Sequence, residues 1–349
     1  MQYLGLESRE KGHSVKITYL NTSKIWKKYT PKWRRAGNEN MNLFESSLIS
    51  NEYVNNYMLD VKMFQKSPSG IWPVKLKNEY IDSISVRGDV LFASALSPDM
   101  VYIAFKSIKH DINQKRALWL IDGWKKYWQE WLSLIHEYRI DFVFCAYLEN
   151  TYWLKQENIR CSWLPFAIEP SINSFSDTKL YDVVQMGRIR KDYDNVLRAS
   201  NIVYKTNSSF RRWFFFKKNL KYKDYCHVLS LSYFTLCYPS GYELDEKERK
   251  DILGFVPTNM RWYEAMAAKS LPIGEIPTDQ EFRLLFPNDK THIIEANPEN
   301  IISSIKKLSA SELKMMLEKN YRFIIENHTY QARVKYCIIE LKEFIQDEK

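Results

Sequence analysis

A chain of 349 residues has room for two hydrophobic cores, and 45% hydrophobic and 15% aromatic residues with only 10 Gly and 12 Pro exclude a disordered polymer. No apolar run approaches the roughly 18 residues of a membrane span and no signal-peptide core opens the chain, while five scattered cysteines without C-x-x-C spacing read as reduced thiols of a cytoplasmic protein with no zinc site. The formal charge of +9 suits an anionic donor, an anionic acceptor, a membrane surface or nucleic acid, and says nothing about fold.

In chain order, residues 1–11 predict a helix stopped by Gly12, after which Val15, Ile17 and Tyr19 alternate as a strand. Residues 23–35 interleave six Lys and Arg with Trp26, Tyr29 and Trp33. Such a segment stacks on sugars, associates peripherally with a membrane or grips nucleic acid, or else folds over the first domain as a solvated insertion. Residues 40–80 carry mixed helical signals and two turn clusters. The runs 89–95, 117–122 and 140–146 are short, apolar and separated by helical stretches, which argues a parallel sheet with crossover helices. Ligands of such sheets sit at the carboxyl ends of strands. Asp122 stands at one of those ends, either as a base for an acceptor hydroxyl or as the N-cap of a helix from Trp124.

Trp163-Leu-Pro-Phe-Ala-Ile-Glu-Pro170 holds two prolines within six residues, a stiff connector that places a domain boundary after residue 166. The second domain, 167–330, opens with a strand from Tyr181 that enters a turn at Gly187-Arg188. Glycine lets the backbone approach a phosphate closely, and Arg188 and Lys191 supply charge. A helix from Asp224, a strand over 233–238 and a solvated acidic-basic run over 243–250 follow. Farther on, Thr278-x-x-Glu281 and Ser309-x-x-Glu312 read as capping boxes, residues 291–295 as a strand and Asn297-Pro298 as a helix start. Val334, Ile338, Leu341 and Ile345 put an apolar stripe on a closing helix, 331–349.

Residues 255–277 are the most informative stretch. Pro257, Thr258 and Asn259 predict a helix start near Asn259, and Leu271-Pro-Ile-Gly274 a short buried strand. At 100° per residue Arg261 and Glu264 share one helix face with Ala265 and Ala268. Arg in a first turn opposes the helix dipole unless an anion is present, so the pair is either a phosphate site or an ordinary i,i+3 surface ion pair.

Arg261-Trp-Tyr-Glu264-Ala-Met-Ala-Ala-Lys-Ser-Leu-Pro-Ile resembles the nucleotide-sugar signature of GT-B glycosyltransferases, in particular the group-1 branch with the CgeB-like proteins. The segment is also similar to its counterpart in phage DNA glucosyltransferases. The resemblance implies two facing Rossmann-like doubly wound domains and a C-terminal crossover helix that returns to the first. It implies that Arg261 binds the donor diphosphate and Glu264 the ribose hydroxyls, and Gly187-Arg188 is similar to the family's loop that faces the diphosphate. The helix N-terminus at Asn259 would add its free N–H groups to the same diphosphate. Residues 214–225 look like the family's base-contacting strand and loop, which would put Asn219 and Leu220 at the base, with Lys218 where the family has Gly. Val256 stands where many retaining members carry a second Glu, which leaves the stereochemical course open. Gly12-His13-Ser14-Val15 is similar to the turn into the second strand of GT-B N-terminal domains, so the leading strand of the 1–166 domain is expected to be absent. His328-Thr-Tyr-Gln-Ala-Arg333 resembles the pattern before the closing helix.

The expected activity is therefore metal-independent transfer of a sugar from a nucleotide-diphosphate donor to an acceptor hydroxyl of a glycan, lipid or surface polysaccharide, without a further cofactor. The alternatives are a phage-type enzyme acting on DNA bases, and a degenerate GT-B protein that only binds a nucleotide or a partner.

Overall fold

The computed structural model describes residues 15–29, 39–66, 74–173, 175–206 and 221–347. The expected first helix, the 30–35 part of the basic segment and the base candidates Asn219 and Leu220 lie outside them. The chain divides into two compact units, one of residues up to 166 with 250–254 and everything from 330 onward, the other of 167–249 and 255–329.

The first unit is built on strands β1 (Ile17–Asn21), β2 (Val54–Met58), β5 (Val90–Ala95), β6 (Lys115–Leu120), β7 (Phe142–Cys145) and β8 (Cys161–Trp163). They form one sheet in the order β2-β1-β5-β6-β7-β8, every pairing parallel. A short antiparallel pair, β3 (Phe64–Lys66) and β4 (Val74–Leu76), stands apart. Parallel sheets are covered on both faces, so their strands read as unbroken apolar runs, and β1, β5 and β7 are buried at every position. On β6, Trp119 packs 4.3 Å from the Phe44 ring and its indole N–H donates to the Leu164 carbonyl at 3.1 Å. Beside it lies a buried polar pair: Tyr19 donates its hydroxyl to Glu45 at 2.5 Å, and burial pushes the Glu45 carboxyl up to about 7.

The closing helix, Tyr330–Asp347, belongs to this first unit. Its Arg333 is 1% exposed and donates to the carbonyls of Pro165 (2.9 Å) and Phe166 (3.2 Å). Tyr336 meets Ser162 of β8 through their hydroxyls, and Phe344 packs 5.3 Å from Phe142 of β7. The helix is thereby pinned by buried hydrogen bonds as well as by its apolar stripe.

The second unit carries β9 (Tyr181–Gln185), β10 (Tyr204–Thr206), β11 (Ser232–Cys237), β12 (Leu271–Gly274) and β13 (Ile294–Glu295). Their order is β10-β9-β11-β12-β13, again wholly parallel. The chain leaves β9 for one edge and returns on the other side of it, so the strand order reverses between β9 and β11. In doubly wound sheets, ligands bind in the crevice at that switch point, beyond the carboxyl ends of the strands.

Two helix starts differ from expectation. Thr278 does not cap the helix Gln280–Leu285, because the neighbouring Asp279 leads into it and its carboxylate accepts the Val256 N–H at 2.8 Å. Asn297 and Asn300 bond each other's backbone N–H, and the helix Ile301–Lys306 begins only after that turn. The capping box of Ser309 and Glu312 forms as expected at the start of Ala310–Asn327. No described helix is long and apolar enough to cross a membrane.

Candidate functional site

At the switch point of the second sheet lies a pocket of about 310 Å³ lined by Gly187, Arg188, Tyr225, Tyr238, Asn259, Arg261 and Glu264, among others. Five of these are the residues singled out in the sequence for the diphosphate and ribose: Gly187, Arg188, Asn259, Arg261 and Glu264. Three pieces of backbone converge there: the turn after β9, the turn after β11, and the start of the helix Arg261–Ala267.

Gly187 is held at φ 84°, a conformation that L side chains rarely adopt, and a Cβ there would lie 2.8 Å from Arg261 Nη2. Glycine is required twice over, for the sense of the turn and for the close approach of the guanidinium. Asn259 joins the other two pieces. Its Nδ2 donates to the Tyr238 carbonyl at 2.8 Å and its Oδ1 accepts the Arg261 N–H at 3.1 Å. The expected helix start at Asn259 is thus met by an Asx turn, and both ends of the amide are engaged by backbone.

Arg261 makes no ion pair with Glu264 among the described residues, and the helix that carries both is buried from Trp262 through Ala267. The surface ion pair that their spacing also allowed is not what forms. The guanidinium lies over the Tyr238 ring, 4.8 Å from its centroid, and its buried Nε and Nη1 have no hydrogen-bond partner among the described residues. A buried cation with unmet donors is costly unless an acceptor arrives.

Glu264 is 4% exposed and faces two tyrosines of the helix Tyr222–Ser230. Tyr222 donates its hydroxyl to Oε1 at 2.8 Å and Tyr225 to Oε2 at 2.7 Å, from rings stacked 5.9 Å apart. Burial pushes the carboxyl above its ordinary value, while the two hydroxyls and the Arg261 charge pull it part of the way back. Arg188 is more open, its side chain 69% exposed and its guanidinium paired with Glu243 at 2.9 Å.

The sequence had given no site role to Tyr222, Tyr225, Tyr238 or Arg190. The i,i+3 spacing of Tyr222 and Tyr225 puts both on one helix face, but their acceptor lies about forty residues on. Asp122 stands in the first unit, half-buried, two residues beyond the end of β6, and its carbonyl accepts the Trp124 N–H at 2.9 Å. The short helix Lys125–Tyr127 that follows has Trp124 at its N-cap position. Asp122 is not among the residues lining this pocket. Among the described residues no group of His, Cys, Asp and Glu is placed to hold a metal ion.

A family model described as glycosyl transferase-like matches residues 191–338, which contain both Arg261 and Glu264. No curated protein sequence matches the chain. Among solved structures, sucrose-phosphate synthase from Thermosynechococcus elongatus aligns at 8% identity and TM-score 0.50, over 74% of this chain and 74% of that one. The trehalose-6-phosphate phosphatase N-terminal domain of Candida albicans aligns at 12% identity and TM-score 0.54, over 96% and 98%. The pneumococcal O-GlcNAc transferase GtfA, solved with UDP and GlcNAc, aligns at 10% identity and TM-score 0.43, and this chain spans 56% of it. The two parallel sheets and the alignment with sucrose-phosphate synthase agree with the GT-B fold.

Proposed function

We propose that this chain is a glycosyltransferase that moves a sugar from a nucleoside-diphosphate donor to an acceptor hydroxyl, and that the pocket between β9 and β11 binds the donor's nucleoside diphosphate. The observation that carries the proposal is Arg261, whose Nη2 lies against a glycine turn at the sheet's switch point while its buried Nε and Nη1 have no hydrogen-bond partner among the described residues. The glycosyl transferase-like match over the same residues supports it, as does the fold shared with a sucrose-phosphate synthase.

In this account Arg261 and Arg188 meet the diphosphate charge, which grows on the leaving group as the glycosidic bond breaks. A guanidinium already in place costs no reorganisation at that moment, which is the most effective form of electrostatic catalysis. Gly187 lets the phosphate approach the backbone, and Asn259 fixes the helix start that carries Arg261. Glu264, held by Tyr222 and Tyr225, accepts hydrogen bonds from the ribose hydroxyls. No metal is needed for this charge balance. Asp122 takes the proton of the acceptor hydroxyl.

The test is release of nucleoside diphosphate from a panel of nucleotide sugars, with and without candidate acceptors. Release from one donor, lost in Arg261→Ala, is the expected result. Nucleotide binding without turnover would instead assign a binding protein that has lost the chemistry. Turnover only on duplex DNA, with steep salt dependence, would assign a DNA-base glucosyltransferase.

A further inference from the structure

We propose that Tyr238 is the positioning residue of this pocket: its ring sets the direction of the Arg261 guanidinium, while its carbonyl and hydroxyl tie together the two turns on either side. The inference rests on the donor site proposed above and adds to it the residue that makes the site's charge directional.

Tyr238 follows β11 directly and is 2% exposed. Each of its three parts holds a different piece of the pocket. The carbonyl accepts from Asn259 Nδ2 at 2.8 Å, which joins β11 to the helix start. The hydroxyl donates to the carbonyl of Arg188, which joins β11 to the glycine turn after β9. The ring lies under Arg261, and because Nε and Nη1 have no hydrogen-bond partner among the described residues, stacking takes the place of hydrogen bonds in orienting them.

A second guanidinium, Arg190, also packs on the Tyr238 ring, at 5.6 Å. Two cations beside one ring would repel, but Arg190 is neutralised by Asp192 and by Glu275, the latter at 2.6 Å. Arg261 has no such carboxylate within ion-pair distance among the described residues, so of the two guanidinium groups on the ring it is the one without a salt bridge. Tyr242 completes the support: it meets Tyr238 edge-on at 4.9 Å and donates to the Ile189 carbonyl at 3.1 Å. The position between β11 and Pro239 thus acts as a hub, and its aromatic character is a requirement of the ligand site as well as of the core.

The test uses calorimetric titration of the full chain with UDP, GDP and ADP and the corresponding monophosphates. The readout is the ratio of diphosphate to monophosphate affinity, which loss of core packing alone would leave unchanged. Tyr238→Leu should reduce that ratio about tenfold, a modest cation–π contact's worth. Tyr238→Phe keeps the ring and should hold the ratio within about twofold, with a lower melting temperature from the lost hydroxyl bond. Combined with Arg261→Ala, Tyr238→Leu should cause no further loss, since both remove one interaction. Losses that multiply in the double variant, or a ratio retained in Tyr238→Leu while Arg261→Ala loses it, would overturn the inference alone. If Tyr238→Leu does not fold, the Phe variant decides: a ratio lost as fully as in Arg261→Ala would contradict a role for the ring. Absence of any diphosphate binding by the wild-type chain would overturn the donor site and this inference together.

Discussion

The guanidinium of Arg261 lies 4.8 Å from the ring centroid of Tyr238, and its Nη2 reaches the point where a side chain on Gly187 would begin. A cation is thereby aimed at a glycine turn from a helix whose remaining residues are buried. Its Nε and Nη1, without a hydrogen-bond partner among the described residues, have an obvious use if an anion enters the pocket.

The first prediction concerns that glycine. Gly187→Ala introduces a side chain at φ 84° and places a Cβ 2.8 Å from Arg261 Nη2. The left-handed conformation alone should cost about 1 to 2 kcal/mol of stability, read by denaturant unfolding. Displacement of the guanidinium should also weaken nucleoside diphosphate binding. Full stability together with full affinity would show that the turn and Arg261 are not coupled.

Glu264→Ala removes the acceptor of two tyrosine hydroxyls. Leaving them unpaired should cost about 1 to 3 kcal/mol. In binding, nucleoside diphosphates should weaken while inorganic pyrophosphate is spared, because the partners assigned to Glu264 are ribose hydroxyls. Equal loss for both ligands would assign Glu264 a purely structural part, as the seat of Tyr222 and Tyr225.

In the first unit, Glu45 predicts a pH dependence unrelated to the donor pocket. Its folded carboxyl titrates at about 7 because it is buried, against an ordinary value of 4.5. Between those values the folded state binds more protons than the unfolded state, so stability falls as pH rises through the window. The full effect is about 3 kcal/mol. Glu45→Gln should flatten the slope of stability between pH 5 and about 7.5 and raise stability above it. An unchanged slope in that variant would locate the titration elsewhere.

Much of this architecture is legible in the sequence because parallel strands buried on both faces must be apolar throughout, as in β5, β7 and β12. The same rule hides short strands. Cys161–Trp163 runs directly into the proline-bearing connector, and the edge strand Tyr204–Thr206 carries a lysine. In the pocket, Arg261 and Glu264 were readable because their spacing on one helix is local. Tyr238 and the pair Tyr222 and Tyr225 were not, since what they do depends on partners brought in by the sheet order. The two outcomes open to Arg261 and Glu264, surface ion pair or ligand site, differ only in burial. Trp262, Tyr263 and Met266, packed inside the second unit, bury the helix and decide between them.

The most direct measurement is calorimetric titration of the wild-type chain and Arg261→Ala with nucleoside diphosphates. A charge-assisted hydrogen bond to phosphate is worth about 1.5 to 3 kcal/mol, so the variant should bind roughly 10- to 150-fold more weakly, with its melting temperature retained. Affinity unchanged by the loss of Arg261 would contradict the assignment of this pocket to a nucleotide-sugar donor.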